Sequence, residues 1–532
     1  LSLVKMSRRH IVVFSGGSAA NSLVDVFGKV TEDKACSLSY IIPISDNGGS
    51  SSELIRVFGG PGIGDVRNCM STEVSDCHAS QSPSPSLLPF PQHFSLTLQG
   101  RLVRLIPSDS TPEKTAIKAF FNHRLSTSSP IDAREEWLSI VEGRSPLWSS
   151  ISPSKRELIR SFLNTISLEI VKRARPSSVF NFQSASVGNL FLTGARLFTG
   201  SFESAIYLLG SITGVPEHVH VIPAINSNFS HHISAGLENG TIITGQNAIS
   251  HPLPTNSSTP LANPTVLTSP STTTLESVPE SPLTLNRRIS RELSEHDRVE
   301  DANLPGSLPM LRKQYITFHK TDIEDLPSRI ERIWYINPYG QEIRPAPNQA
   351  VLGALGEASA VVYSIGSLYT SVVPSLILRG VGSAVGDPSV RFKILILNGS
   401  LDRETKAFNF AFGAKDFVKA IADACFHSSG SGLKTGIDKE NGGGCKMEEW
   451  RNYVTHVVHL NGEGTPRVER EELAKVGVEC VRIYGRKNED GEGMLYDSNA
   501  LCGALEAVLG GPRRGEKKGD GISRRNTLDF TG

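Results

Sequence analysis

No C-x-x-C pair occurs in this sequence, and its seven cysteines (Cys36, Cys69, Cys77, Cys425, Cys445, Cys480 and Cys502) are scattered and odd in number. That argues against a disulfide framework and against a structural zinc site. No run of 18 apolar residues is present, so no membrane span is expected. No stretch near the N-terminus has the charged, apolar, small-residue order of a signal peptide. An excess of either charge is also missing: 54 basic residues face 54 acidic ones. A general nucleic-acid or membrane-surface binder needs such an excess. Three catalytic signatures are absent as well. Without G-x-G-x-x-G or G-x-x-x-x-G-K-[ST] the dinucleotide and P-loop readings weaken. Without G-x-S-x-G the esterase reading fails. The expectation is a protein of a reducing, cytoplasmic compartment, with no nucleic-acid partner. The sequence starts at Leu1 with Met6 close behind, so the first five residues are expected to be an artefact of the gene boundary.

Hydrophobic residues other than glycine make up only 38% of the chain, below the roughly 45–50% apolar share, counted with glycine, of ordinary domains. Polar insertions are expected to dilute an ordinary core. The apolar, β-branched run 10–14 (HIVVF) ends at Ser15-Gly16-Gly17-Ser18, and helical spacing follows over 19–28. Strand, glycine turn and helix open a doubly wound α/β sheet. A second strand is predicted at 39–44, helices at 112–124 and 154–173, and two helices over 180–215 broken at Thr199-Gly200. A hairpin turns at Glu238-Asn239-Gly240. Further strands are read at 330–336, 358–364, 392–397, 453–459 and 480–483, with helices at 347–356, from 372 to about 385, at 414–426 and at 499–509. This alternation predicts a mostly parallel, Rossmann-like core in two parts, 10–250 and 311–509. Loose insertions are expected at about 71–111 and 427–447, a disordered one at 251–310 and a disordered tail at 510–532, where Ser, Thr, Pro, Gly and charge replace large apolar groups.

The stretch that organises the rest is 40–68. An apolar strand runs into Ser45-Asp46-Asn47-Gly48-Gly49-Ser50-Ser51-Ser52, and a second glycine-rich turn carries Asp65, Arg67 and Asn68. Glycines without a Cβ let backbone N–H groups approach an anion. Asp46 and Asp65 are oxygen ligands of the kind a phosphate-bound divalent cation uses. Turn-forming aspartates are the bland alternative. The turn Gly16-Gly17-Ser18 is a further phosphate candidate, or an ordinary glycine turn. Gly366-Ser367-Leu368-Tyr369-Thr370-Ser371 follows a strand and opens a helix. Its hydroxyls and N–H groups suit a diphosphate or sugar, and Tyr369 suits a base or sugar face; a capped helix start is the competing reading. The pairs His218/His220, His231/His232 and His456/His459 are read as structural.

Five motifs in order, F-S-G-G at 14–17, S-D-N-G-G-S-S-S at 45–52, G-D-V-R-N-C at 64–69, V-G-N-L at 187–190 and G-S-L-Y-T-S at 366–371, resemble the CofD-like family. It holds 2-phospho-L-lactate transferases and YvcK-type gluconeogenesis factors. The resemblance covers about 10–70, 180–250, 330–426 and 453–509. It implies a Rossmann-like core with its cleft at the C-terminal strand ends. In the transferase branch it implies Mg²⁺, held here by Asp46 and Asp65, assisting transfer of a phospholactyl group from a nucleotide diphosphate donor to an alcohol. In the YvcK-type branch it implies a UDP-sugar in the same cleft and regulation of carbon metabolism and cell shape. The ligand-binding set would be Gly16, Gly17, Ser18, Asn47, Gly48, Gly49, Ser50, Ser51, Arg67, Asn68, Gly188, Asn189, Gly366, Ser367, Tyr369 and Thr370. The partner is then a nucleotide or nucleotide sugar, and a homodimer is compatible with this reading. The chain departs from the family pattern at Asn47, where a second acid is usual, at Ala185 for histidine and at Ile365 for proline.

Overall fold

All five residues of β1 (His10–Phe14) are buried, as a strand covered on both faces must be, and such strands belong to parallel sheets. In a computed structural model of the chain the described residues are 10–16, 19–45, 49–63, 111–174, 179–251, 308, 311, 325–407, 410–430, 444–488 and 493–510. The remaining strands are β2 (Ser37–Ile42), β3 (Val219–Pro223), β4 (His232–Leu237), β5 (Ile242–Thr244), β6 (Ile330–Ile336), β7 (Glu342–Ile343), β8 (Ala360–Tyr363), β9 (Phe392–Ile396), β10 (Lys406–Ala407), β11 (Phe410–Ala411), β12 (His456–His459), β13 (Glu479–Arg482), β14 (Gly485–Lys487) and β15 (Met494–Tyr496).

Seven strands form the central sheet in the order β13-β12-β9-β8-β1-β2-β3, and every pairing in it is parallel. This is the Rossmann-like, doubly wound architecture that the strand–helix alternation predicted. A smaller antiparallel sheet, β5-β4-β6-β7, contains the expected hairpin. At its tip Gly240 has φ +83°, and the Asn239 side chain accepts the Thr241 N–H at 3.0 Å.

Between β2 and β3 the chain builds a helical layer: Pro112–Asn122, Pro130–Val141, Pro153–Arg173, Val187–Thr199 and Phe202–Thr213. Its centre is aromatic. Phe120 lies against Trp148 with ring centroids 4.1 Å apart, and Phe121 and Phe162 close edge-on to Phe191 at 5.0 and 5.5 Å. The Trp148 indole N–H donates to the Ile140 carbonyl at 2.9 Å, so the ring enters the core with its polar atom satisfied.

Several boundaries differ from the sequence reading. Strand β2 sits two residues earlier than predicted. It stops at Ile42, because the next residue, Pro43, has no N–H for a ladder. The helix Pro130–Val141 was not anticipated; it starts at Pro130, with the Ser129 hydroxyl accepting the Asp132 N–H at 3.0 Å. The helix expected from 372 to about 385 is two short ones, Val373–Leu376 and Val381–Gly386, separated at Gly380 with φ +84°. The first of the two helices expected over 180–215 begins only at Val187. The segments expected to be loose, 71–111, 251–310, 427–447 and 510–532, lie wholly or largely outside the described residues.

Candidate functional site

From β1 the chain moves one way across the sheet, to β2 and β3; from its other neighbour, β8, it moves the opposite way, to β9, β12 and β13. The C-terminal ends of β1 and β8 therefore flank a topological switch point, where open α/β sheets hold ligands. Ser15 and Gly16 leave β1 there, and 364–366 leave β8.

The two exits touch through their backbones. A Cβ on Gly16 would lie 2.8 Å from the Cα and Cβ of Ser371 and 2.9 Å from its carbonyl oxygen. Gly366, at φ +138°, would place a Cβ 3.0 Å from the Gly16 oxygen. Only glycine permits that approach. The loop 366–371 thus rests directly on the β1 turn. Within it, Leu368–Val372 forms a π-turn, a rare shape that recurs at functional sites.

The segment that follows β9 grips this loop at two points. Asn398 reads both backbone polar groups of Gly366: its Oδ1 accepts the N–H and its Nδ2 donates to the carbonyl, each at 2.9 Å. Further on, the buried Glu404 carboxylate accepts four hydrogen bonds. Oε2 takes the N–H groups of Tyr369 at 2.8 Å and Thr370 at 3.1 Å. Oε1 takes the Thr370 hydroxyl at 2.5 Å and the Ser250 hydroxyl at 2.7 Å. Burial, followed by repulsion from Asp402, pushes the Glu404 carboxyl up to about 7. Asp402 is itself raised by burial, against bonds from Thr405 and the Ser367 hydroxyl that favour its charged form.

At the end of β2 the buried Ser45 hydroxyl donates to Gln246 Oε1 at 2.7 Å, which ties the helix Gln246–Ser250 to the rim of the crevice. The helix Gly49–Phe58 starts only four residues beyond Ser45, so its N-terminus lies at the same edge of the sheet.

The structure brings together part of the predicted set. Gly16, Gly366, Ser367, Tyr369 and Thr370 meet at the crevice, and Gly49, Ser50 and Ser51 form the first turn of the helix Gly49–Phe58. Gly188 and Asn189 are buried in the first turn of Val187–Thr199, which packs against that same helix. Gly17, Ser18, Asp46, Asn47, Gly48, Asp65, Arg67 and Asn68 lie outside the described residues. Two roles need correction. The Tyr369 ring does not present a face to a ligand: it is 7% exposed, sits edge-on to Phe412 at 6.1 Å, and its hydroxyl donates to the Ile330 carbonyl. The Ser367 and Thr370 hydroxyls turn toward the protein's own carboxyl groups, Asp402 and Glu404. The reason is that buried carboxylates need donors, and these are the nearest.

Asn398, Asp402 and Glu404 were missed. A signal was present, because Asn398-Gly399-Ser400-Leu401-Asp402-Arg403-Glu404-Thr405 follows directly on an apolar strand. The rule that placed Asp46 after β2 applies equally after β9. The Mg²⁺ expected from Asp46 and Asp65 has no described ligand at the crevice. The described grouping with metal-ligating spacing is Asp33, Cys502 and Glu506. It joins the helices Val24–Lys34 and Ser498–Val508, at the end of the former remote from Gly16. Among the described histidines, His218 and His220 lie by β3 and His456 and His459 on β12, with four strands between them in the sheet order. No described helix is long and apolar enough to cross a membrane.

Comparison with known proteins gives a consistent result. The sequence profile described as 2-phospho-L-lactate transferase CofD matches residues 11–482. A relative in Saccharomyces cerevisiae, the uncharacterized protein YNL011C, is 36% identical over 486 residues, spanning 91% of this chain and 97% of that protein. Among solved structures, protein BH3568 of Bacillus halodurans aligns with a TM-score of 0.50 at 17% identity, covering 94% of this chain and 99% of the other. A second determination of the same protein, described as a member of the UPF0052 family, gives 0.50 at 18%, covering 95% and 100%. At such identity the likeness is one of fold.

Proposed function

The chain belongs to the CofD family of 2-phospho-L-lactate transferases, and from that premise we propose that it binds a nucleotide diphosphate in the crevice between the ends of β1 and β8. The observation that carries the proposal is the close approach of Gly16 to Ser371, which sets the exits of β1 and β8, each with a glycine at the contact, side by side at the switch point. Such turns admit a diphosphate to backbone N–H groups, and the N-terminus of Gly49–Phe58 adds positive potential at the same edge.

The reaction supported best is transfer of a phosphorylated group from the nucleotide donor to an alcohol. The acceptor hydroxyl oxygen bonds to the outer phosphorus, the bridging P–O bond of the diphosphate breaks, a nucleoside monophosphate leaves, and the hydroxyl proton goes to solvent or a base. Asp46 and Asp65 would hold Mg²⁺, which when bound supplies charge neutralisation at the phosphates. Gly16, Gly17, Gly48, Gly49 and Ser50 would line them.

A second reading, a non-catalytic UDP-sugar sensor of the YvcK type, is favoured by one feature: Asn47 stands where the family usually has a second acid. Thermal-shift measurements with GDP, GTP, UDP-sugars and a deazaflavin alcohol, with and without Mg²⁺, separate the two. Mg²⁺-dependent release of nucleoside monophosphate supports the transferase. Stabilisation by UDP-sugar without Mg²⁺ or product supports the sensor. No shift with any nucleotide overturns both.

A further inference from the structure

We propose that Glu404 is a positioning residue for this crevice, its ionised carboxylate holding the loop 366–371 against the Gly16 turn, so that ligand affinity depends on the Glu404 charge. The proposal rests on the crevice being the ligand site, and its test is arranged so that the two can fail separately.

The argument begins with where the four bonds go. Both backbone N–H groups fall on Oε2 and both hydroxyls on Oε1. Tyr369 and Thr370 are the residues immediately before Ser371, whose backbone meets Gly16. Oε2 therefore grips the loop one residue from its contact with the β1 turn, while Oε1 ties the grip to Ser250 and the helix Gln246–Ser250. That helix is joined in turn to Ser45 at the end of β2 through Gln246. One carboxylate thus links the exits of β2, β8 and β9 around the crevice.

Protonation changes this arrangement in a definite way. Oε2 faces two N–H groups, which cannot accept, so a proton has a partner only at Oε1. There it must be donated to the Thr370 or Ser250 hydroxyl, which then turns its own hydrogen away from Oε1, and the other hydroxyl loses a charged acceptor. The two N–H bonds to Oε2 survive but pass from charge-assisted to neutral, with about half the strength. Acidification therefore loosens the loop without unfolding it. The surroundings keep the proton within physiological reach: burial and Asp402 act against the charge, and the four donors act for it. The other charged groups in this region, among the described residues, are Arg403 and His251, which repel each other, and Arg329, Asp416 and Asp423 on the Tyr369 side.

Glu404→Gln is the decisive variant. Its amide keeps one oxygen for the two N–H groups and donates to the hydroxyls, so it reproduces the protonated form at every pH. The experiment measures binding of GDP and of a UDP-sugar to the full chain between about pH 6 and pH 8, together with hydrogen exchange of the Tyr369 and Thr370 amides normalised for intrinsic rate. Wild-type affinity should rise on the order of tenfold across that window, with a midpoint near 7. Glu404→Gln should bind at the wild-type acidic level throughout, with both amides less protected than in the wild type at the alkaline end. Ser250→Ala removes one donor to the charged form and should move the wild-type midpoint upward by about one pH unit. A Glu404→Gln protein that keeps the wild-type pH profile, or whose amides exchange as in the wild type at both ends, overturns the proposal. If the wild type binds neither probe, the ligand site is refuted while the exchange data still decide the role of Glu404; if Glu404→Gln does not fold, the Ser250→Ala shift decides it.

Discussion

Replacing Gly16 by alanine tests whether β1 and β8 really meet backbone to backbone. The new Cβ would stand 2.8 Å from Ser371 Cα and Cβ, roughly 1 Å inside ordinary carbon–carbon contact. The obstructing atoms are not the far end of a flexible side chain. On one side β1 is paired with both β2 and β8. On the other, Asn398 and Glu404 hold the loop. With no slack on either side, the cost should fall in the upper part of the overpacking range, about 2–3 kcal/mol. For a protein with a few hundred ordered residues that is a Tm lower by roughly 3–4 °C. Differential scanning fluorimetry with urea unfolding reads it directly. Gly28→Ala is the control: Gly28 is interior to the helix Val24–Lys34 and a Cβ there meets nothing within 4 Å, so it should gain about 0.5–1 kcal/mol. Ser371→Gly on top of Gly16→Ala should restore part of the loss by removing one of the obstructing atoms, a coupling that a double-mutant cycle measures. A Gly16→Ala protein within about 0.5 kcal/mol of the wild type would refute the contact.

Tyr369→Phe should cost about 0.5–1.5 kcal/mol for the lost bond to the Ile330 carbonyl, yet leave nucleotide affinity within a factor of about two by calorimetry, because the ring lies in the core; a loss nearer tenfold would return Tyr369 to the ligand. His232 is buried, and burial followed by the neighbouring His231 lowers its pKa to about 4, while its Nδ1 has no hydrogen-bond partner among the described residues. The unfolded chain then binds the proton first, so the stabilisation from keeping His232 neutral is complete above about pH 6.5 and is lost as pH falls toward 4, about 3 kcal/mol in all. Urea titrations of wild type and His232→Leu should therefore diverge in acid slope across that window, and parallel slopes would contradict the assignment. Asp46→Asn and Asp65→Asn should each lower turnover by orders of magnitude with Tm nearly unchanged if the transferase reading holds; unchanged turnover would remove it.

The central sheet could be read from the sequence because burial on both faces writes itself locally. HIVVF at 10–14 and FKILI at 392–396 leave no polar face to mistake for a surface strand. The helix Pro130–Val141 was illegible for the opposite reason. Ala133, Trp137, Ile140 and Val141 are buried, but Ile131 and Leu138 are 69% and 39% exposed, so apolar residues on two faces blur the helical period.

The candidate site divides along the same line. Glycine turns after strands are local signals, and Gly16 and Gly366 stood where the text suggested. The orientation of side chains in 367–370 is not local: Glu404 lies 34 residues from Thr370 and 154 from Ser250. In sequence, Ser-Leu-Tyr-Thr-Ser is equally suited to bind an anion brought by a ligand or one supplied by the protein, since each needs N–H and hydroxyl donors in a tight turn. What decides is whether an internal carboxylate claims the donors first, and here Glu404 and Asp402 do. A ligand then meets the glycine backbone of the turns, with the hydroxyls engaged behind it. The specificity of this crevice should accordingly be for the shape and charge of a diphosphate, and mutations of Ser367 or Thr370 should alter affinity chiefly by unseating the loop, with the amides of Tyr369 and Thr370 losing exchange protection in step.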